Sequence, residues 1–128
     1  MKNVYEVLYV STLSPAAPLQ AVAQIAVKAR LSNEATGVTG LLIFDGMRFC
    51  QQIEGPREEV LALTQRILQD KRHTRVEILR QGPLDARRFK RFALGYAEVD
   101  VLALMEKSDS TQALARFLAL LPNLDMDA

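Results

Sequence analysis

The chain has no tryptophan, a single histidine and a single cysteine among its 128 residues. Cys50 alone can close no internal disulfide and build no cysteine-based metal cluster. With His73 the sole imidazole, a metal site would have to be assembled from carboxylates, and none cluster in the sequence in a metal-binding spacing. Neither sign of charge is in excess. Sixteen Lys+Arg against fifteen Asp+Glu give a formal net charge of +1, which leaves no overall electrostatic footprint for a polyanion and disfavours nucleic acid as a partner. No apolar run approaches the length of a membrane span, and the first residues lack the basic-then-apolar order of a signal peptide, so no membrane partner and a cytoplasmic location are expected. The glycine-rich patterns GxGxxG, GxxxxGK followed by Ser or Thr, and GxSxG are all missing, which removes the common nucleotide and hydrolase loops.

What is present suits one globular domain: 49% hydrophobic and 24% charged residues, in a chain long enough to bury a core without staples. Its organising stretch is residues 37–55, GVTGLLIFDGMRFCQQIEG, two apolar runs around a tight turn at Asp45-Gly46. Both arms read as buried central strands. One residue does not fit. Alternation along the second arm puts Phe49, Gln51 and Ile53 on one face and Cys50, Gln52 and Glu54 on the other. Gln51 therefore brings a primary amide into an apolar interior, where both its donors and its acceptor need partners.

Around this hairpin, residues 4–11 read as an inner strand with Tyr5, Val7, Tyr9 and Ser11 on one parity. Residues 19–31 read as a helix beginning at Leu19, with Gln20, Gln24 and Lys28 as its polar stripe and a buried side of little bulk at Ala21, Ala23, Ala26 and Ala29. Ser32-Asn33 is expected to end it. A second helix begins at Gly55-Pro56 with an inner stripe through Val60, Leu61, Leu63, Thr64, Ile67 and Leu68, and with Arg66 and Asp70 spaced to pair. Asp70 to His73 reads as a solvated charged turn, residues 75–80 as a strand, residues 82–85 as a polar connection and residues 87–99 as a last strand near their end. The apolar tail, Val101 to Met105 and Thr111 to Leu121, is helical in spacing and is assigned to the opposite sheet face. The order is β-α-β-β-α-β-β followed by helices: an α+β fold of ferredoxin-like type with two helices on one face of the sheet and C-terminal helices on the other. Residues 1–99 form the expected binding unit and residues 100–128 its capping helices.

Catalytic pairings fail on inventory. Cys50 and His73 have nothing that would bring them together, His73 has no residue marked to orient it, and Glu54, Glu58 and Glu59 are accounted for as acids near a helix N-terminus. No enzyme activity is expected. Tyr9 and Gln51, by contrast, lie on neighbouring strands of such a sheet with the same helix-facing parity, and Asn33 enters from the first helix. A phenol, two amides and a flat slot beneath an alanine-lined helix suit a planar heteroaromatic ligand, while a self-satisfied Tyr–Gln hydrogen bond in a plain core accounts for the same residues.

The succession Tyr9-x-Ser11, Ser32-Asn33, Gly37-Val38-Thr39-Gly40, Phe49-x-Gln51-x-Ile53-Glu54-Gly55, Asp70-x-Arg72-His73 and Arg87-Arg88-Phe89 resembles the BLUF domain, a blue-light sensor using FAD. The likeness spans residues 3–99, and the tail is similar to the capping helices of short members. It implies FAD as cofactor, its isoalloxazine between the first two helices, with Asn33 at the pyrimidine edge and Ile25 packed on the ring. It further implies that Gln51 bridges Tyr9 to the flavin, that Arg66 and Asp70 flank the Asn33 edge, and that Arg72 or His73 meets the ribityl-phosphate tail. Light would then draw an electron and a proton from Tyr9 and rearrange the Gln51 amide, giving a reversible red shift. The chain departs from the family where Trp and Met are frequent in the last strand: Phe92 and Leu94 stand there, and Leu94 offers no sulfur to Gln51. The light signal would be reported through a downstream protein partner or a homo-oligomer interface. A flavin-free ferredoxin-like ligand- or protein-binding module is the alternative.

Overall fold

The computed structural model describes residues 4–18 and 20–127. Leu19 and the outer limits of the two expected regions, residues 1–3 and 128, lie outside the described residues. Seven elements follow the expected order: β1 (Val4–Leu13), α1 (Gln20–Thr36), β2 (Thr39–Phe44), β3 (Arg48–Pro56), α2 (Arg57–Gln69), β4 (His73–Leu84) and β5 (Phe92–Tyr96). A 3₁₀ helix at Val101–Lys107, α3 (Ser110–Leu120), a 3₁₀ turn at Leu121–Asn123 and a short β6 (Asp125–Asp127) complete the chain. The sheet runs β4-β1-β3-β2-β5-β6, with β2 and β5 parallel and the other neighbours antiparallel.

Two apolar layers cover this sheet, because β1, β2 and β3 carry large side chains on both faces. On one face Val22, Ile25 and Ala26 of α1 pack on Leu42, Phe49, Phe92 and Leu94, and Val60 of α2 packs on Val7, Tyr9 and Ile53. On the other, Leu102, Met105, Ala113 and Phe117 of the tail cover Leu8, Val10, Leu41, Ile43 and Cys50. The ferredoxin-like α+β reading, with helices on both faces as assigned, is the observed one.

Several local expectations are corrected. α1 does not stop at Ser32-Asn33: it continues to Thr36 and ends where Gly37 turns to φ 75°. Asn33 is carried inside the last turns with its side chain buried, so its propensity to terminate is overridden by packing. Ala23 and Leu68 are exposed, not inward. β4 runs through Gly82 and Pro83 to Leu84. Proline is tolerated there because β4 is an edge strand with only one neighbour to pair with. The hairpin loop is wider than two residues, closed by Asp45, whose carboxylate accepts from the amides of Met47, Arg48 and the distant Leu102. β6 was absent from the sequence reading. Gly40 has φ 153°, and a Cβ there would run into the Gln52 carbonyl oxygen, which explains a glycine inside β2.

Candidate functional site

The register sets the site. Tyr9 of β1 stands directly opposite Gln51 of β3, on the face beneath α1 and α2. The Tyr9 hydroxyl donates to Gln51 Oε1 at 2.6 Å, at the short end of the O–H···O range, and both residues are buried. Among the described residues the Gln51 amide nitrogen has no protein acceptor. Burial, with the nearby Cys50 and Asp70 as smaller contributions, pushes the Tyr9 phenol far above its ordinary ionisation range, so it keeps its proton across physiological pH.

Above this pair α1 and α2 leave a cavity of about 360 Å³, within the range of small-molecule sites. Tyr9, Gln51, Ile25, Arg66, Asp70, Arg72 and His73 all line it, seven of the eight residues expected to bind. The sequence reading had placed Ala29 on the small-residue side of α1 above the slot but had not assigned Lys28 and Ser32 to the site. With Ile25 the three form an i, i+3, i+4, i+7 stripe on α1, a spacing that could have marked them. Leu63, Arg66 and Ile67 of α2 and Asp70 at its C-cap repeat that spacing.

Asn33 is the eighth, and it is not among that cavity's lining residues. It borders a second cavity with Phe92, on the side of α1 facing β5. The residue is 1% exposed, and neither Oδ1 nor Nδ2 has a hydrogen-bond partner among the described residues. Leu94, the other expected relay residue, is buried in the cluster that contains Ile25, Leu42 and Phe92.

The charged turn is less solvated than its sequence suggests. His73 is the first residue of β4 and buried, its Nδ1 3.0 Å from Ser11 Oγ and its ring against Phe49 and edge-on to Tyr9. Burial lowers its pKa, with Asp70 opposing and Arg72 adding to the shift. Asp70 pairs with Arg72 at 2.7 Å rather than with Arg66, because the turn folds Arg72 back over it. The Arg72 hydrogen bond holds the Asp70 carboxyl below its usual range.

The opposite face holds Gln52 and Glu54, where strand alternation placed them, together with Glu6. Glu54, accounted for in the sequence as an acid near the start of α2, is fully buried and accepts instead from the backbone amides of Arg88 and Phe89 at 2.7 and 3.0 Å. Gln52 donates to both Glu54 and Glu6, whose carboxylates Arg88 and Arg80 offset. No group of three or more His, Cys, Asp and Glu among the described residues is placed to hold a metal ion, and no helix among them is long and apolar enough to cross a membrane.

The donor set fits a flavin. A slot between two helices, a Gln51 amide nitrogen without an acceptor among the described residues, and cations at the rim match a flat ring with carbonyl and ring-nitrogen edges and an anionic tail. Comparison with known proteins agrees. The chain is 33% identical over 107 residues to the blue light- and temperature-regulated antirepressor BluF of Escherichia coli (strain K12), covering 84% of this chain and 26% of that protein. It therefore spans about a quarter of that relative's length. The dark-state structure of the BLUF protein BlrB superposes with a TM-score of 0.76 at 28% identity, covering 94% of this chain and 96% of that one. The photo-activated state of BlsA gives 0.77 over 98% of this chain and 99% of that one, at 24% identity, a likeness of fold. The family model described as sensors of blue-light using FAD matches residues 4–95, and with that match the chain belongs to the BLUF family.

Proposed function

We propose that this blue-light sensor using FAD holds its flavin in the cavity between α1 and α2 and signals by reversing the donor and acceptor ends of the Gln51 amide. When bound, FAD supplies the blue absorption and accepts the electron that light sets in motion. The chain's residues do the rest. Tyr9, fixed 2.6 Å from Gln51 Oε1, holds the amide in one orientation and is the buried phenol from which an electron and a proton can leave. That bond uses the amide's acceptor and leaves its nitrogen free, so rotation of the side chain exchanges what it offers to the cavity. Ile25 would pack on the ring, and Asn33, which borders the second cavity, would have to turn its orphaned amide toward the pyrimidine edge, with Arg66 and Asp70 flanking. Arg72 or His73 would meet the ribityl-phosphate tail. Residues 1–99 are the flavin-binding unit and residues 100–128 its cap. Phe92 and Leu94 carry the change into β5. The signal passes to a downstream protein or an oligomer interface, and no catalytic step belongs to this chain.

The observation that carries this reading is the Tyr9–Gln51 bond at the floor of the cavity. The test is the absorption spectrum of the FAD-loaded protein before and after blue light. A reversible red shift is expected in the parent protein and its loss in Tyr9→Phe and in Gln51→Leu. A full shift in either variant refutes the assignment. A colourless protein that retains no added FAD favours the flavin-free module.

A further inference from the structure

The net charge of +1 conceals a local concentration of positive charge. Residues 87–91 read Arg-Arg-Phe-Lys-Arg, in the loop that delivers the chain into β5. Arg88 is engaged with Glu6 and Arg87 with Thr39 and the Glu54 carbonyl. Lys90 and Arg91 make no ion pair or side-chain hydrogen bond among the described residues. They converge with Arg30 of α1 on the second cavity, of about 690 Å³, which is also lined by Phe92 and by one acid, Glu34. Three cations against one carboxylate leave this concavity net positive, a site for carboxylates.

From this juxtaposition we propose that the cavity between α1 and the start of β5 is a docking surface for an acidic polypeptide segment of a partner protein, and that light changes its affinity. Charge complementarity selects the occupant. A nucleic-acid backbone needs a stripe of cations along its length, whereas here the charge is confined to one hollow with Glu34 in its wall. The proposal rests on the photoreceptor reading, and two features tie the surface to Gln51. Glu54 sits three residues after Gln51 on β3, is fully buried, and fixes the loop through the amides of residues 88 and 89. Phe92 lines the docking cavity and packs in the same cluster as Ile25 and Leu42, which line the flavin cavity. A displacement of β3 or of the ring contacts therefore moves both walls of the docking hollow. This second route does not need a sulfur at Leu94.

The probe is a short fluorescein-labelled peptide of alternating Glu and Gly, titrated by anisotropy into FAD-loaded protein at low salt, in darkness and under blue light. A short single-stranded oligonucleotide serves as comparison. The doubly reversed variant Lys90→Glu with Arg91→Glu should weaken peptide binding by about tenfold or more, since like charges then face the peptide. The charge-matched control, Arg75→Glu with Lys107→Glu on exposed sites elsewhere, should change it by less than about twofold, as distant charges are screened. Affinity should differ between dark and light. Equal losses in the two double variants, tighter binding of the oligonucleotide than of the peptide, or identical affinities in dark and light overturn the proposal. The red shift is recorded on the same samples and is expected unchanged in both variants. Its absence from the parent protein would count against the photoreceptor reading, and its presence without peptide binding against the docking surface alone.

Discussion

The Tyr9–Gln51 bond can be weighed by a double-mutant cycle, because its two ends fail differently. Gln51→Leu keeps the apolar volume but leaves the Tyr9 hydroxyl, on a residue 2% exposed, without its acceptor. An orphaned buried donor costs about 1–3 kcal/mol. Tyr9→Phe removes the donor and leaves Gln51 Oε1 short of a partner, with a cost in the same range of about 1–3 kcal/mol, while the ring keeps its packing against His73 and Val60. The double variant removes both polar ends, and replacing both partners of a buried pair with apolar groups is close to neutral. The cycle should therefore show a coupling of at least about 2 kcal/mol, the double variant being far less destabilised than the two single losses together. Chemical denaturation of the four proteins at equal excess FAD supplies the numbers, and the light-induced shift is read from the same stocks. Additivity within about 0.5 kcal/mol would mean that the two side chains do not interact in solution and would refute the reasoning.

Asn33→Leu should raise the stability of the flavin-free protein by about 1–3 kcal/mol, by removing an unsatisfied buried amide, and weaken FAD retention; if denaturation shows a loss without FAD, the amide has a protein partner after all. Glu54→Ala should cost about 3–5 kcal/mol, because the Arg88 guanidinium and two backbone donors lose a buried carboxylate; hydrogen exchange should rise across residues 85–91 while the red shift persists. For pH, His73 has a folded-state pKa below its unfolded value of 6.5, so the unfolded chain takes up a proton first as pH falls. Stability should hold above pH 6.5 and decline from there down to the depressed folded value, a slope that His73→Gln should remove. Asp70 adds a further loss only below its ordinary 3.8.

Side-chain parity was legible because alternation is a local property of a strand. Gln51 faces the same side as Phe49 and Ile53 whatever surrounds it, and pairing β1 with β3 then leaves Tyr9 as its partner. The stripes of α1 and α2 follow likewise from helical period. Where the sequence misled, a distant contact decided. Nothing near His73 in the chain indicates burial: the cover comes from Ser11 and Phe49 on other strands. Glu54 looks like one of three acids at a helix start, yet the donors that justify burying it lie more than thirty residues away. Arg66 has the spacing to pair with Asp70, but a tight turn gives Arg72 the shorter reach. β6, three residues long, has too little length for alternation to register.

The most direct measurement is the light-minus-dark infrared difference spectrum of the FAD-loaded protein, with its glutamine side chains isotopically labelled and Gln51→Leu as the control. Reversal of the Gln51 amide requires a flavin carbonyl band that moves to lower frequency in light, together with a label-sensitive amide band that is absent from the control. A red-shifted visible spectrum without any label-sensitive glutamine band, or with the same band in Gln51→Leu, would contradict it.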